Sequence, residues 1–140
     1  MYTLSEGQIL KKSEPLQFAE RGIYFLIKDD RVVYVGQSRS NMLQRIAQHT
    51  HDKDFDAVAV HAVPERYGLT DLDELEAAYI YELTPPYNAI MPPNSRYLRK
   101  ESLKTRLGLT GHQLNRLLRK AQSVPRMDLY YDASELEKFL

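Results

Sequence analysis

Gly22-Ile23-Tyr24-Phe25-Leu26-Ile27, Lys28-Asp29-Asp30-Arg31 and Val32-Val33-Tyr34-Val35-Gly36 form the stretch on which the reading of the chain turns. Both flanks are rich in β-branched and aromatic residues, and a charged Asp-Asp corner separates them, which is the pattern of a β-hairpin. Each strand carries a Tyr near a Gly, and a strand glycine marks a bend or a close approach to the backbone. If both tyrosines serve one pocket, they must share a face of the sheet. An odd loop, Asp29-Asp30-Arg31, pairs Phe25 with Val35 and Leu26 with Tyr34 and achieves this; a two-residue Asp-Asp turn alone would put them on opposite faces. The odd loop is the expectation.

Outward from the hairpin, Asn41 is placed to cap a helix from about Met42 to His51, with Leu43, Ile46, Ala47 and Thr50 inward. Arg45 and His49, four apart, project together from its other side. Ala57 to Val63 reads as a third strand, small and branched enough to be central, and Pro64 ends it. Thr70-x-x-Asp73 reads as a capping box opening a helix from about Asp71 to Leu83. Its apolar face is Leu72, Leu75, Tyr79, Ile80 and Leu83, and Glu76 interrupts that face. A carboxylate there is costly unless it is paired, for instance with Arg45, or coordinates a metal. His61 on the third strand reads as core packing.

The chain of 140 residues is 43% apolar and 27% charged, as expected of a globular protein with one main domain and room for an appendage. The absence of cysteine excludes disulfides and thiolate metal sites and suits a reducing compartment. The N-terminal residues lack the pattern of a signal peptide and no apolar run has the length of a membrane span, so a cytoplasmic protein without membrane partners is expected. Residues 1–21 read as an arm with at most a short helix, broken by Pro15.

A net charge of zero hides an asymmetry. Residues 1–94 carry nine basic and fourteen acidic side chains, a net of −5; residues 95–140 carry ten and five, a net of +5. Two modules are expected, the second suited to a polyanion, although solvated helix faces would also account for the charge. The division is 1–21 arm, 22–91 first domain, 92–98 Pro-rich linker and 99–140 second module. In that module Ser102–Leu107 is a short helix closed by Gly108. The Thr110-x-x-Gln113 capping box opens another, reaching about Ala121. Leu114, Leu117, Leu118 and Ala121 form its inner stripe, and His112, Asn115, Arg116 and Arg119 its outer one. This is the layout of a helix-turn-helix. A wing from Val124 to Tyr131 comes next, then a last helix capped by Asp132 with Leu136, Phe139 and Leu140 inward. The segment from Tyr130 to Leu140 resembles the small winged modules of excisionase and MerR-like regulators.

In order along the chain, Gly22-Ile23-Tyr24, Tyr34-Val35-Gly36 with Gln37-Ser38, the set Asn41, Arg45 and His49, and Glu76 followed by Pro85 and Asn88 resemble the GIY-YIG nuclease family over about residues 22–88. Val35 stands where the family's second triplet has Ile, and one extra residue separates Tyr34 from Arg45. The resemblance implies an α/β fold with a small three-stranded central sheet flanked by helices, mixed or antiparallel. It implies hydrolysis of DNA phosphodiester bonds with one Mg²⁺ or Mn²⁺ held by Glu76, ions that favour oxygen ligands. It also implies Tyr24 as acceptor of the water's proton with His49 as relay, and Tyr34 positioning water or phosphate. Arg45 would favour the phenolate and neutralise transition-state charge, and Asn88 would orient phosphate or support the metal shell.

For the second module, Arg96, Arg99, Lys100, Lys104, Arg106 and Lys120 are the candidate phosphate contacts. His112, Asn115, Arg116 and Arg119 are the candidate base readers, on double-stranded DNA. The competing expectation is a non-catalytic DNA-binding protein that keeps the nuclease fold as scaffold. Oligomeric state, cleavage sequence and the choice of DNA over RNA are not encoded in these patterns.

Overall fold

The computed structural model describes residues 3–11 and 21–140. It is a mixed α/β fold built on a three-stranded antiparallel sheet. Its elements are α1 (Glu6–Lys11), β1 (Gly22–Lys28), β2 (Arg31–Ser38), α2 (Met42–Gln48) with a 3₁₀ turn (His49–His51), β3 (Ala57–Ala62), α3 (Leu69–Leu83), β4 (Tyr97–Arg99), α4 (Lys100–Leu107), α5 (Gly111–Leu118), β5 (Tyr130–Asp132) and α6 (Ala133–Glu137). Pro15 and the rest of the expected arm from 12 to 20 lie outside the described residues. Among the described residues no helix is long and apolar enough to cross a membrane.

The sheet order is β2-β1-β3. The central strand is therefore β1, not the third strand as expected. Six of the seven β1 residues are buried, whereas β3 is only partly covered, so β1 carries the two-sided hydrophobic load. Phe25 pairs with Val35 and Leu26 with Tyr34, as expected, but the loop does not take the expected form. Asp29 and Asp30 form a two-residue turn with φ of 52° and 58°, the left-handed pair of a type I′ hairpin. Between Leu26 and Ile27 the register shifts, and Val33 is the extra residue of a bulge. The bulge supplies the odd residue that the loop lacks. Val32 consequently packs on one side of the sheet, while Val33 and Tyr34 both pack on the other.

That register sorts the core into two layers. Ile23, Phe25, Ile27, Val35 and Ala59 face α3 and α1, and the Tyr79 ring meets Phe25 edge-on at 4.8 Å. Tyr24, Leu26, Val33 and Val60 face α2, whose buried residues are Met42 and Ile46. Leu43, Ala47 and Thr50, expected inward, are exposed: the buried edge of α2 runs through Met42 and Ile46, Leu43 and Ala47 each lie one position further round the helix, and Thr50 falls in the 3₁₀ turn after it. Asn41 caps α2 through Gln44 N–H as expected.

Helix α3 starts earlier than expected. Gly68 is its N-cap, and the Asp71 carboxylate accepts from Gly68 N–H at 2.9 Å. Asp73, expected to form a capping box with Thr70, is thereby released for another purpose.

In the second module α4 and α5 meet across Gly108, which has φ 65° and closes α4 in the left-handed conformation. Thr110 and Gln113 form the expected reciprocal box. Leu103, Leu114, Leu117, Ala133 and Leu136 make a separate small core. Phe139 and Leu140 are exposed rather than inward, because α6 ends at Glu137 and contributes Ala133 and Leu136 to that core. The ribbon β4-β5 joins the halves: Tyr97, Val124, Met127 and Tyr130 belong to the same apolar cluster as Phe25 and Tyr79. Tyr97 also stacks on Tyr81 of α3 at 5.3 Å, and Arg126 donates to the Thr84 carbonyl. The stretch 92–98, read as a linker, thus contains a buried, hydrogen-bonded Ser95 and the start of a packed strand.

Candidate active site

Two groups of side chains make up the site, one on each face of the sheet. The first is aromatic. Tyr24 and Tyr34 share the α2 face, with ring centroids 6.2 Å apart, and His49 lies 5.7 Å from Tyr24 and 4.7 Å from Tyr34. The Tyr24 hydroxyl and His49 Nε2 are hydrogen-bonded at 2.7 Å. Gly36, opposite Tyr24, makes this possible. A Cβ at position 36 would lie 2.4 Å from the Tyr24 ring, so the phenol rests on bare backbone.

Burial dominates the protonation of these groups. It pushes the Tyr24 hydroxyl well above the ordinary range for tyrosine, with the neighbouring Tyr34 adding to the effect; Arg45 pulls the other way and loses. Tyr34 is raised too, by burial and then by the charge of Glu76. Arg45 does favour the Tyr24 phenolate, as expected, through its charge and a hydrogen bond, but desolvation of a buried phenolate outweighs one exposed guanidinium. His49 is lowered by burial and by the Lys53 ammonium, which keeps its ring neutral and able to accept a proton. Lys53 also sits over the Tyr34 ring at 4.8 Å. Sequence reasoning passed over Lys53, since a lysine flanked by Asp52 and Asp54 reads as surface charge.

The second group is polar and lines a cleft of about 500 Å³ bordered by Gln37, Arg39, Arg45, Asp73, Glu76 and Pro92 among others. Glu76 extends from α3 and is held by the Gln37 amide, with Nε2 donating to Oε2 at 2.7 Å. Its carboxyl is pushed up to about 7, chiefly by burial; the Gln37 hydrogen bond opposes this, Asp73 adds to it, and Arg45 and Arg39 act at longer range. Asp73, one turn earlier and only 1% exposed, shares that same Gln37 amide at 2.6 Å. Its other oxygen accepts from the backbone N–H and the side-chain amide of Asn94. Asp73 thus ties α3 to β2 and to the segment entering the second module. A pattern search could have found it: an acid three residues before Glu76 lies on the same helix face.

Arg45 joins the two groups. It is exposed, it lines the cleft, and its charge acts on Tyr24, Tyr34, His49 and Glu76 alike.

Asn88 is placed elsewhere. Its Oδ1 accepts from Val35 N–H and its Nδ2 donates to the Val35 carbonyl, both at 2.9 Å, so the side chain imitates a neighbouring strand along the free edge of β2. Tyr87 N–H donates to the carbonyl of the bulge residue Val33. Asn88 therefore seals an edge and sets the position of β2, with both amide ends already engaged. His61 is bonded through Nδ1 to the Tyr79 hydroxyl, in keeping with core packing.

Among the described residues no group of three or more His, Asp or Glu side chains is placed to hold a metal by itself. An ion at this site would rest on Glu76, neutral oxygens, water and a bound phosphate, which suits a hard cation such as Mg²⁺. One observation fits that donor set: Gln37 Oε1 is buried and, among the described residues, has no hydrogen-bond partner.

On the second module His112, Asn115, Arg116, Arg119 and Lys120 are exposed along and just beyond α5, and Lys100 and Lys104 are exposed on α4. Three candidates are partly engaged. Arg96 pairs with Asp132 at 3.4 Å and donates to the Tyr97 hydroxyl, Arg106 pairs with Glu137 at 3.8 Å, and Arg99 lies over the Tyr130 ring.

Comparisons of the chain with protein-family models, with curated proteins and with solved structures found no match.

Proposed function

We propose that this chain is a divalent-metal-dependent endonuclease of GIY-YIG type acting on double-stranded DNA. The supporting observation is the hydrogen-bonded Tyr24–His49 pair placed so that one guanidinium, Arg45, acts on both it and the buried carboxyl of Glu76. Mg²⁺ or Mn²⁺ would be held by Glu76 and would supply polarisation of the scissile phosphate and stabilisation of the leaving 3′ oxygen.

The chain's own residues handle the proton. Tyr24 is too strongly desolvated to stand as a phenolate. A proton taken from the attacking water onto its oxygen must be matched by loss of its own proton to neutral His49 Nε2 across the 2.7 Å bond. Tyr24 is then a conduit and His49 the final acceptor. Arg45, exposed at the rim, neutralises charge building on the phosphate, and burial, with Lys53 adding to it, keeps His49 uncharged until the proton arrives. Tyr34 positions water or phosphate through its hydroxyl.

The outward face of α5 would grip the duplex, with His112, Asn115, Arg116 and Arg119 facing base edges and the exposed lysines of α4 contacting phosphates. The polar, basic side of α5 equally suits the second reading, a DNA-binding protein that does not cut.

A labelled oligonucleotide duplex incubated with protein and Mn²⁺ separates the two. Hydrolysis leaving 5′-phosphate and 3′-hydroxyl ends, lost in Glu76→Ala, supports the nuclease. Binding without cutting supports the scaffold.

A further inference from the structure

Gln37 comes directly after the Tyr34-Val35-Gly36 triplet, and the geometry gives its side chain an incomplete set of partners. Its NH₂ group faces two carboxylates, Asp73 Oδ1 at 2.6 Å and Glu76 Oε2 at 2.7 Å. That fixes which end of the amide is which, because the flipped amide would set an acceptor oxygen against two acceptors. The oxygen left over, Oε1, is buried and among the described residues accepts no hydrogen bond. An orphaned buried carbonyl oxygen is rare, and an unplaced ion or water is one of its few explanations.

The charge around it selects between these. Asp73 is almost fully buried, Glu76 is largely so, and together they form a site that a divalent cation would neutralise. An amide oxygen is a neutral hard donor, as Mg²⁺ and Mn²⁺ prefer. Asp73 accepts from Gln37 at one oxygen and twice from Asn94 at the other, so its carboxylate holds those two side chains in place.

We propose that Gln37 is the second protein ligand of the divalent-cation site, binding the ion through Oε1 beside Glu76, while its NH₂ group holds Glu76 in place. The proposal rests on the nuclease reading given above. It makes Gln37 part of the metal site and Asp73 the buried counter-charge that anchors Gln37.

The test is Mn²⁺ binding to the full, metal-free chain without DNA, followed by electron paramagnetic resonance at pH 8. Wild type, Glu76→Ala, Gln37→Met and Gln37→Glu are compared, with circular dichroism as the check of folding. Gln37→Met removes the oxygen and is expected to weaken Mn²⁺ binding by about tenfold or more, with one additional water on the bound ion by proton relaxivity. Gln37→Glu keeps an oxygen and is expected to bind Mn²⁺ at least as tightly as wild type.

Wild-type affinity in Gln37→Met alongside lost affinity in Glu76→Ala would overturn the proposal and leave the nuclease reading standing. Unchanged affinity in Glu76→Ala would overturn both. Should Gln37→Met fail to fold, Gln37→Glu decides: weaker binding than wild type overturns the proposal.

Discussion

Replacing Glu76 with Gln is expected to stabilise the metal-free protein while abolishing cleavage. The Glu76 carboxyl is raised from 4.5 to about 7 because burial penalises its charged form. A carboxyl whose folded pKa lies above its unfolded one costs stability as pH rises through that window, and the cost is complete above the folded value. At about 1.4 kcal/mol per unit, the wild type gives up about 3 kcal/mol at pH 8 and less than about 1 kcal/mol at pH 5. Glutamine has the shape of the protonated acid and no charge to desolvate, so the substitution recovers that amount.

For a chain of this size, about 3 kcal/mol corresponds to a rise of about 10 °C in Tm at pH 8. The gain shrinks to less than about 3 °C near pH 5. The assay is thermal unfolding by circular dichroism in chelator across pH 5 to 9, for both proteins. Adding Mn²⁺ at pH 8 narrows the gap, because the ion stabilises only the wild type. A Glu76→Gln variant less stable than wild type at pH 8, or a difference independent of pH, would refute the reasoning. It would mean that the carboxylate serves the fold rather than burdening it.

Other substitutions separate the parts of the site. Gly36→Ala drives a methyl into the Tyr24 ring, and overpacking of this kind costs about 1–3 kcal/mol; urea unfolding should show the loss and DNA cleavage should fall with it. Tyr24→Phe removes the hydroxyl that meets His49, so single-turnover cleavage should drop about 10²-fold or more while Tm changes little. Asn88→Ala exposes the β2 edge and leaves the Val35 backbone groups unpaired, a loss of about 1–3 kcal/mol in unfolding experiments, with Mn²⁺ affinity unchanged. Lys104→Ala with Lys120→Ala should weaken duplex binding and flatten its salt dependence by about two phosphate contacts, without altering the pH profile of cleavage.

How much could be read from the chain depends on how local the cause is. The hairpin pairing of Phe25 with Val35 and Leu26 with Tyr34 comes from putting two phenols on one face, and the fold contains that pairing. The means was misjudged, because whether the odd residue falls in the turn or in a bulge at Val33 is a cooperative choice. Asp29 and Asp30 both tolerate positive φ, and that tolerance decided it. The place of Glu76 in an apolar stripe was plain from helical periodicity. The role of Asp73 was not, because Thr70-x-x-Asp73 is a locally valid cap and only the tertiary partners Gln37 and Asn94 outcompete it. Asn88 presents the same difficulty: an asparagine after two prolines does not announce which strand edge it will bind. The packing of Tyr97 and Tyr130 against the first half of the chain was likewise hidden, since charge segregation marks modules but not the apolar seams that join them.

The central claim is that the groups gathered around Arg45 hydrolyse a phosphodiester bond. Supercoiled plasmid incubated with the purified chain and Mg²⁺ or Mn²⁺, beside Glu76→Ala, tests it most directly. The expected result is conversion to nicked or linear DNA by the wild type and none by the variant. Plasmid left intact by the wild type with either ion, or cut equally by both proteins, would contradict it.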